Sequence, residues 1–173
     1  WKPIIGNNLE KKKIGILGFG KIGQDLHRKL KNFGCDTFVF EKRNIKSNKL
    51  KRCGLNEIFS KCDIVCISLS LNDKTKNLIN SKTLETANKN ITIINASRGA
   101  IINERNLYNF LKKNKNSKAF LDCYVKEPYK GNLLNLNNVF PLPHIASYTH
   151  ETRKDMEYSA SKNLIKYLIS IDK

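Results

Sequence analysis

Lys13-Ile14-Gly15-Ile16-Leu17-Gly18-Phe19-Gly20-Lys21-Ile22-Gly23 is the stretch on which the fold turns. Its first half is a short apolar run, Ile14, Ile16 and Leu17, that reads as a strand over residues 13–18. Its second half is a G-x-G-x-x-G loop. Beyond the loop, Ile22, Leu26, Leu30 and Phe33 recur at spacings of four, four and three, one face of a helix over 21–33. Gly34 then stops that helix, as a glycine at a helix end does. A glycine loop alone says little; between a strand and a helix its glycines acquire separate duties. Gly18 permits a tight turn, Gly20 lets a phosphate group approach the backbone, and Gly23 lets the helix close on the sheet. Lys21 and Ile22 open the helix, so their N–H groups and the helix dipole face an anion seated on the loop.

Working outward, strand-like runs alternate with helix-like segments. Further strands are expected over 37–41, 63–69, 91–96, 118–123 and 139–142, the last stopped by Pro143. Helices are expected over 55–61, over 81–89 with Ser81 as cap, and over 103–114 with Asn103 as cap. A closing helix over 149–170 keeps Met156, Ala160, Leu164, Tyr167 and Leu168 at helical spacing. Such alternation predicts an α/β fold: a doubly wound parallel sheet of the Rossmann type, three layers deep. Ligands of these sheets sit beyond the carboxyl ends of the strands. Glu41 ends the second strand, eighteen residues past Gly23, where a carboxylate accepts hydrogen bonds from an adenosine ribose and repels a 2′-phosphate. That points to NAD as cofactor. Lys42 and Arg43 follow directly and offer the opposite reading, cations for the 2′-phosphate of NADP. A plain turn and the sulfonium cofactor of a methyltransferase are other uses of a similar loop.

Composition narrows the classes. The chain has 173 residues, 40% apolar and 27% charged, enough for a core without disulfide staples and unlike a disordered tail. Its apolar runs are too short to cross a bilayer. Lys and Arg number 32 against 15 Asp and Glu, a net charge of +17. The lysines are spread along the chain, only residues 11–13 form an unbroken run of three, and no aromatic residues interleave with it. A solvated basic surface is therefore expected, and a nucleic-acid binder is the competing reading. Five cysteines, an odd number, argue against a full disulfide set, and Cys62-x3-Cys66 lacks a second pair at zinc spacing, so no metal site is expected. Free thiols and the lack of a signal peptide point to the cytoplasm. The chain opens on Trp1 and its only Met is Met156, which suggests a fragment or an excised domain.

Four blocks, in order, resemble the D-isomer-specific 2-hydroxyacid dehydrogenases, and specifically their NAD-binding domain. They are 15–23, already quoted; Asn95-Ala96-Ser97-Arg98-Gly99-Ala100-Ile101-Ile102-Asn103-Glu104; Ala119-Phe120-Leu121-Asp122-Cys123-Tyr124-Val125-Lys126-Glu127-Pro128; and Pro143-His144-Ile145-Ala146-Ser147-Tyr148-Thr149. Departures are mild: Cys123 and Tyr124 stand where the family often has Val and Phe, and Ser70 where many members have Pro. The resemblance implies one NAD-binding domain over 1–173, with the family's substrate domain absent and residues 1–10 a connecting segment. It also implies a homodimer. It assigns catalysis to Arg98 for the substrate carboxylate, His144 for proton exchange, and Glu127 as the partner of His144. It places Asp122 at the nicotinamide carboxamide, with a loop-capping Asp as the plainer reading. Thr75, Ser97 and Ser147 are candidates to line the cofactor cleft.

Residue chemistry is consistent with these roles. Arg98 follows a strand and carries a planar fork suited to a carboxylate, and an imidazole titrates near neutrality. His27, among charges in the first helix, and His150, at the start of the last, are weaker acid–base candidates. The stretch 147–157 resembles phosphoglycerate dehydrogenase-type members, with glyoxylate/hydroxypyruvate reductase and D-lactate dehydrogenase as alternatives. The expected function is hydride transfer between NAD(H) and a D-2-hydroxy acid/2-oxo acid pair. The alternative is a non-catalytic NAD(H)-binding sensor or scaffold of the same fold.

Overall fold

In the computed structural model, residues 6–43 and 50–171 are described. The first half of the expected connecting segment, residues 1–5, lies outside them. The chain divides into two compact units, Trp1–Pro143 and His144–Lys173.

The first unit is built on a seven-stranded parallel sheet: β1 Lys13–Leu17, β2 Asp36–Phe40, β3 Lys51–Arg52, β4 Ile64–Ile67, β5 Thr92–Asn95, β6 Lys118–Leu121 and β7 Val139–Pro141. Their order across the sheet is β3-β2-β1-β4-β5-β6-β7. The chain runs outward in one direction from β1, returns, and runs outward in the other from β4, so the switch point lies between β1 and β4. The doubly wound parallel sheet is thus confirmed. β3 was not expected; two residues at a sheet edge carry too little pattern to stand out.

Helices α1 Lys21–Asn32, α2 Leu55–Lys61, α3 Ser81–Glu85 and α4 Glu104–Lys113 flank the sheet. Alternating side chains of each strand serve opposite faces. Leu17, Val65, Ile67, Ile93, Ala119 and Leu121 point to one face and form the main core with Ile58 and Phe59 of α2, Leu84 of α3, and Leu107, Phe110 and Leu111 of α4. Gly15 lies on this face too, and a Cβ there would run into Ile58. On the other face Ile16, Val39 and Phe19 pack under Leu26 and Leu30 of α1.

Two helix expectations need correction. Only Leu26 and Leu30 of the α1 stripe pack on the core, whereas Ile22 is 73% and Phe33 61% exposed. Ile22 sits at the helix start beyond the strand ends, and Phe33 lies past the last helical residue. The helix expected over 81–89 ends at Glu85, and its cap is Asn80, whose side chain accepts from the Lys82 N–H, rather than Ser81. Asn103 caps α4 as expected, accepting from the Asn106 N–H, and Gly34 closes α1 with a left-handed backbone.

The second unit is a turn followed by α5, His150–Ile171. Thr149 Oγ1 caps this helix by accepting from the Thr152 N–H at 3.1 Å. Its apolar positions keep helical spacing, but none of its residues is buried.

Candidate active site

The glycine loop is fastened from three sides. Gly18 N–H donates to Phe40 O at 2.9 Å, and Ser68 Oγ donates to Gly18 O at 2.8 Å. Gln24 Nε2 donates to Phe19 O at 3.0 Å. Gly18 has φ +94°, and a Cβ on it would lie 2.8 Å from Ser68 O; both facts demand glycine. A Cβ on Gly23 would collide with Gly18 O. Gly20 differs, because a Cβ there would meet nothing within 4 Å. Its missing side chain serves no protein contact, and the space is open to a ligand. Gly20 is also the N-cap of α1, and no side chain caps it or places a carboxylate in the first turn. The N–H groups of Lys21 and Ile22 thus begin a helix with no anion of its own, a fit for a pyrophosphate.

Glu41 stands just past β2, with its side chain 8% exposed. Its Oε2 accepts from Phe19 N–H at 3.0 Å and from Arg43 Nη2 at 2.8 Å, and its Oε1 from Arg43 N–H at 3.0 Å. The Arg43 side-chain bond, then the backbone bonds, outweigh desolvation and hold the carboxyl down at about 2. A cleft of about 400 Å³ opens beside it, lined by Gly18, Gly20, Lys42, Arg43, Lys74 and Thr75 among others. Thr75 Oγ1 is spent on its own loop, donating to Ser70 O at 2.7 Å and accepting from Asn72 N–H at 2.8 Å. Its part in the cleft is to shape the wall.

A second cleft, of about 630 Å³, lies across residues 68–70, which line both. Its walls include Ile22, Leu26, Cys66, Ile94, Ser97 and Arg98. The two clefts together trace a crevice over the switch point, where ligands of open α/β sheets bind. Asn95, buried at the end of β5, organises the far wall: Oδ1 accepts from Ser97 N–H and Oγ, and Nδ2 donates to Arg98 O at 3.1 Å. Arg98 is exposed, and its Nη1 donates to Ser97 O at 2.7 Å. A Cβ on Gly99 would strike the Tyr124 backbone, so this glycine lets the loop after β5 touch the loop after β6.

Those two loops carry three of the expected residues, Arg98, Asp122 and Glu127. Asp122 is buried just past β6, its N–H donating to Asn95 O at 2.9 Å. Glu127 Oε1 accepts from Tyr124 N–H at 2.9 Å. Burial pushes the Cys123 thiol up to about 11; the charges of Asp122 and Glu127 push the same way and that of Arg98 opposes them.

His144 and Ser147 belong to the second unit. His144 has a left-handed backbone, φ 57°, and Ser147 is half-buried in the turn before α5. His150 is exposed as the first residue of α5. His27 hydrogen-bonds Thr37 Oγ1 at 2.7 Å, early in β2 and away from the strand ends, and burial lowers its pKa. Ser68 was missed from sequence, since a serine after a strand carries no signal of its own. Asn95 stood in a quoted block, yet its buried bonding was not legible. Among the described residues no three His, Cys, Asp or Glu side chains gather as a metal site, and no helix is long and apolar enough to cross a membrane.

The family model described as "D-isomer specific 2-hydroxyacid dehydrogenase, NAD binding domain" matches residues 1–146. Glyoxylate reductase 1 of Saccharomyces cerevisiae is 36% identical over 163 residues, covering 91% of this chain and 47% of the relative. The crystal structure of a glyoxylate reductase from Paecilomyes thermophila superposes with a TM-score of 0.86 at 32% identity, covering 94% of this chain and 51% of that one. An acyclic imino acid reductase in complex with NADPH and D-Arg superposes with a TM-score of 0.87 at 30% identity, covering 96% and 54%. The chain spans about half the length of the relatives it matches.

Proposed function

The chain belongs to the D-isomer-specific 2-hydroxyacid dehydrogenases, whose NAD-binding domain it carries, and from that premise we propose that residues 1–173 serve as one such domain in an enzyme interconverting a D-2-hydroxy acid and its 2-oxo acid. The crevice from Glu41 past Gly20 to Arg98 carries this reading. Gly18, Gly20, Lys21, Ile22 and Gly23 take the pyrophosphate, and Glu41 the adenosine ribose. Thr75 and Ser97 wall the cleft; the family resemblance adds Ser147 to the cofactor-binding set and Asp122 as the residue that would hold the carboxamide. When bound, the cofactor supplies or accepts the hydride.

Arg98 holds the substrate carboxylate by paired charge-assisted hydrogen bonds. His144 gives a proton to the carbonyl oxygen during reduction and takes it back during oxidation. Glu127 supports His144 as a carboxylate partner. The substrate is a short 2-oxo acid. The relatives' names favour glyoxylate or hydroxypyruvate, and the 147–157 stretch favours a phosphoglycerate-type acid. The working form is a cytoplasmic homodimer.

Titration of the chain with NADH, followed by nicotinamide fluorescence, tests the cofactor cleft. Saturable binding is expected, and no binding by a demonstrably folded chain overturns the reading. In the complete enzyme, His144→Ala should abolish turnover of a 2-oxo acid panel while NADH binding persists. Turnover that survives removes His144 from its role.

A further inference from the structure

The first residue of α4 reaches away from its own helix. Asn103 caps α4 through the Asn106 N–H, and Glu104 follows as the first helical residue. An acidic group at that place ordinarily serves the helix dipole. Here Glu104 Oε1 also accepts from the Val125 N–H at 2.9 Å, across to the loop after β6. Such a bond is charge-assisted and stronger than one between neutral groups. Its base is firm, because Leu107, Phe110 and Leu111 bury the following turns of α4 in the core. Glu104 is thus a strut between a fixed helix and a loop.

The strut lands two residues from Glu127. Glu127 is exposed, and its Oε1 accepts from the Tyr124 N–H at 2.9 Å. Two successive N–H groups, of Tyr124 and Val125, are therefore held by two carboxylates, one at the start of α4 and one in the loop itself. Because Glu127 bonds to the backbone of Tyr124, its place follows that of residues 124 and 125. Val125 is 62% exposed and gives the segment little packing. Tyr124 gives more: its ring stacks on Tyr129 with centroids 4.3 Å apart, and its OH donates to Leu121 O at 2.9 Å. Those contacts hold the ring, and Glu104 holds the peptide that follows it.

We propose that Glu104 is a positioning residue for proton transfer: it holds the Val125 N–H, fixes the loop after β6, and so sets where Glu127 holds its carboxylate. The inference rests on the reading of Glu127 as the carboxylate partner of His144, and adds to it a residue that acts through Glu127.

The test separates reach from charge, in the complete enzyme. Glu104→Gln keeps the reach and an acceptor oxygen; Glu104→Asp keeps the charge at the helix start but is one methylene short. Glu104→Asp should lower kcat for a 2-oxo acid by about tenfold or more, a share of what acid–base catalysis supplies. KM and the NADH dissociation constant should stay within about twofold. Glu104→Gln should keep kcat within about threefold of wild type, since a neutral acceptor still holds the N–H. In a Glu127→Ala background, Glu104→Asp should cost less than about twofold more, because a residue that acts through Glu127 has nothing left to position. Circular dichroism and urea melts check that each variant is folded. A role confined to the helix dipole predicts the reverse order, with Glu104→Gln the poorer variant and Glu104→Asp near wild type. That order overturns the proposal, as do variants that leave kcat unchanged, a KM that rises with the fall in kcat, or a loss that adds fully to that of Glu127→Ala. If Glu127→Ala alone leaves kcat unchanged, the role of Glu127 falls, and this proposal with it.

Discussion

Two glycines of one loop should respond to the same substitution in opposite ways. Gly23→Ala places a methyl group against Gly18 O, and overpacking of this kind costs about 1–3 kcal/mol. Gly20→Ala meets no protein atom. Its poorer capping and its stiffer unfolded chain offset each other to within about 1 kcal/mol, while its methyl group invades the proposed pyrophosphate space. Urea unfolding should therefore separate the two variants by stability, and NADH titration of Gly20→Ala should show an affinity loss of about tenfold or more in a chain as stable as wild type. Glu41 supplies a pH test. Its carboxyl is depressed from 4.5 to about 2, so its stabilisation is fully present above pH 4.5 and is lost as pH falls through 2. After allowance for solvent screening by the exposed Arg43, that contribution is about 1–2 kcal/mol. The stability gap between wild type and Glu41→Gln, measured by denaturant melts, should be constant near neutrality and close between pH 4.5 and 2. Spacing made the separate duties of the glycines and the place of Glu41 readable in the sequence. The guanidinium lock on Glu41 was not, because a side chain that folds back over two residues leaves no periodic trace.

At the level of elements, the loop after β5 depends on one buried amide. Asn95→Ala removes the acceptor of two Ser97 bonds and the donor to Arg98 O. Leaving buried polar groups unpaired costs about 1–3 kcal/mol, and Arg98 loses the backbone that aims it. The expected signature in the complete enzyme is a rise in KM for the 2-oxo acid beyond what the loss of stability explains; a variant with unchanged KM would remove Asn95 from that positioning role. The α4 stripe was fully legible, since Leu107, Phe110 and Leu111 lie mid-helix and all are buried. The α1 stripe misled at both ends. Periodicity assumes a partner surface along the whole helix, whereas α1 overhangs the sheet at Ile22 and stops short of Phe33. The α3 boundary failed for a local reason: Asn80 and Ser81 are both good caps, and sequence alone does not rank two adjacent ones.

Across the whole molecule, the net charge of +17 is spread rather than concentrated. A duplex DNA probe should bind weakly near 0.02 M salt and be released by about 0.15 M, as read by anisotropy; affinity that persists there would revive the nucleic-acid reading. Sheet order was legible only as a class, because alternation implies parallel strands and right-handed crossovers but does not locate the switch point or reveal a two-residue edge strand. The switch point has a consequence for how the chain is born. β1 is an inner strand, yet its partner on one side, β4, begins 47 residues after β1 ends. At a synthesis rate of about 5–20 residues per second, roughly 2–10 seconds pass before that partner leaves the ribosome. During this interval β1 and β2 can pair while the other flank of β1 offers a bare row of N–H and C=O groups to any passing strand. A pause in translation between residues 41 and 63 would lengthen the exposure, and a nascent-chain chaperone that covers β1 would shorten it.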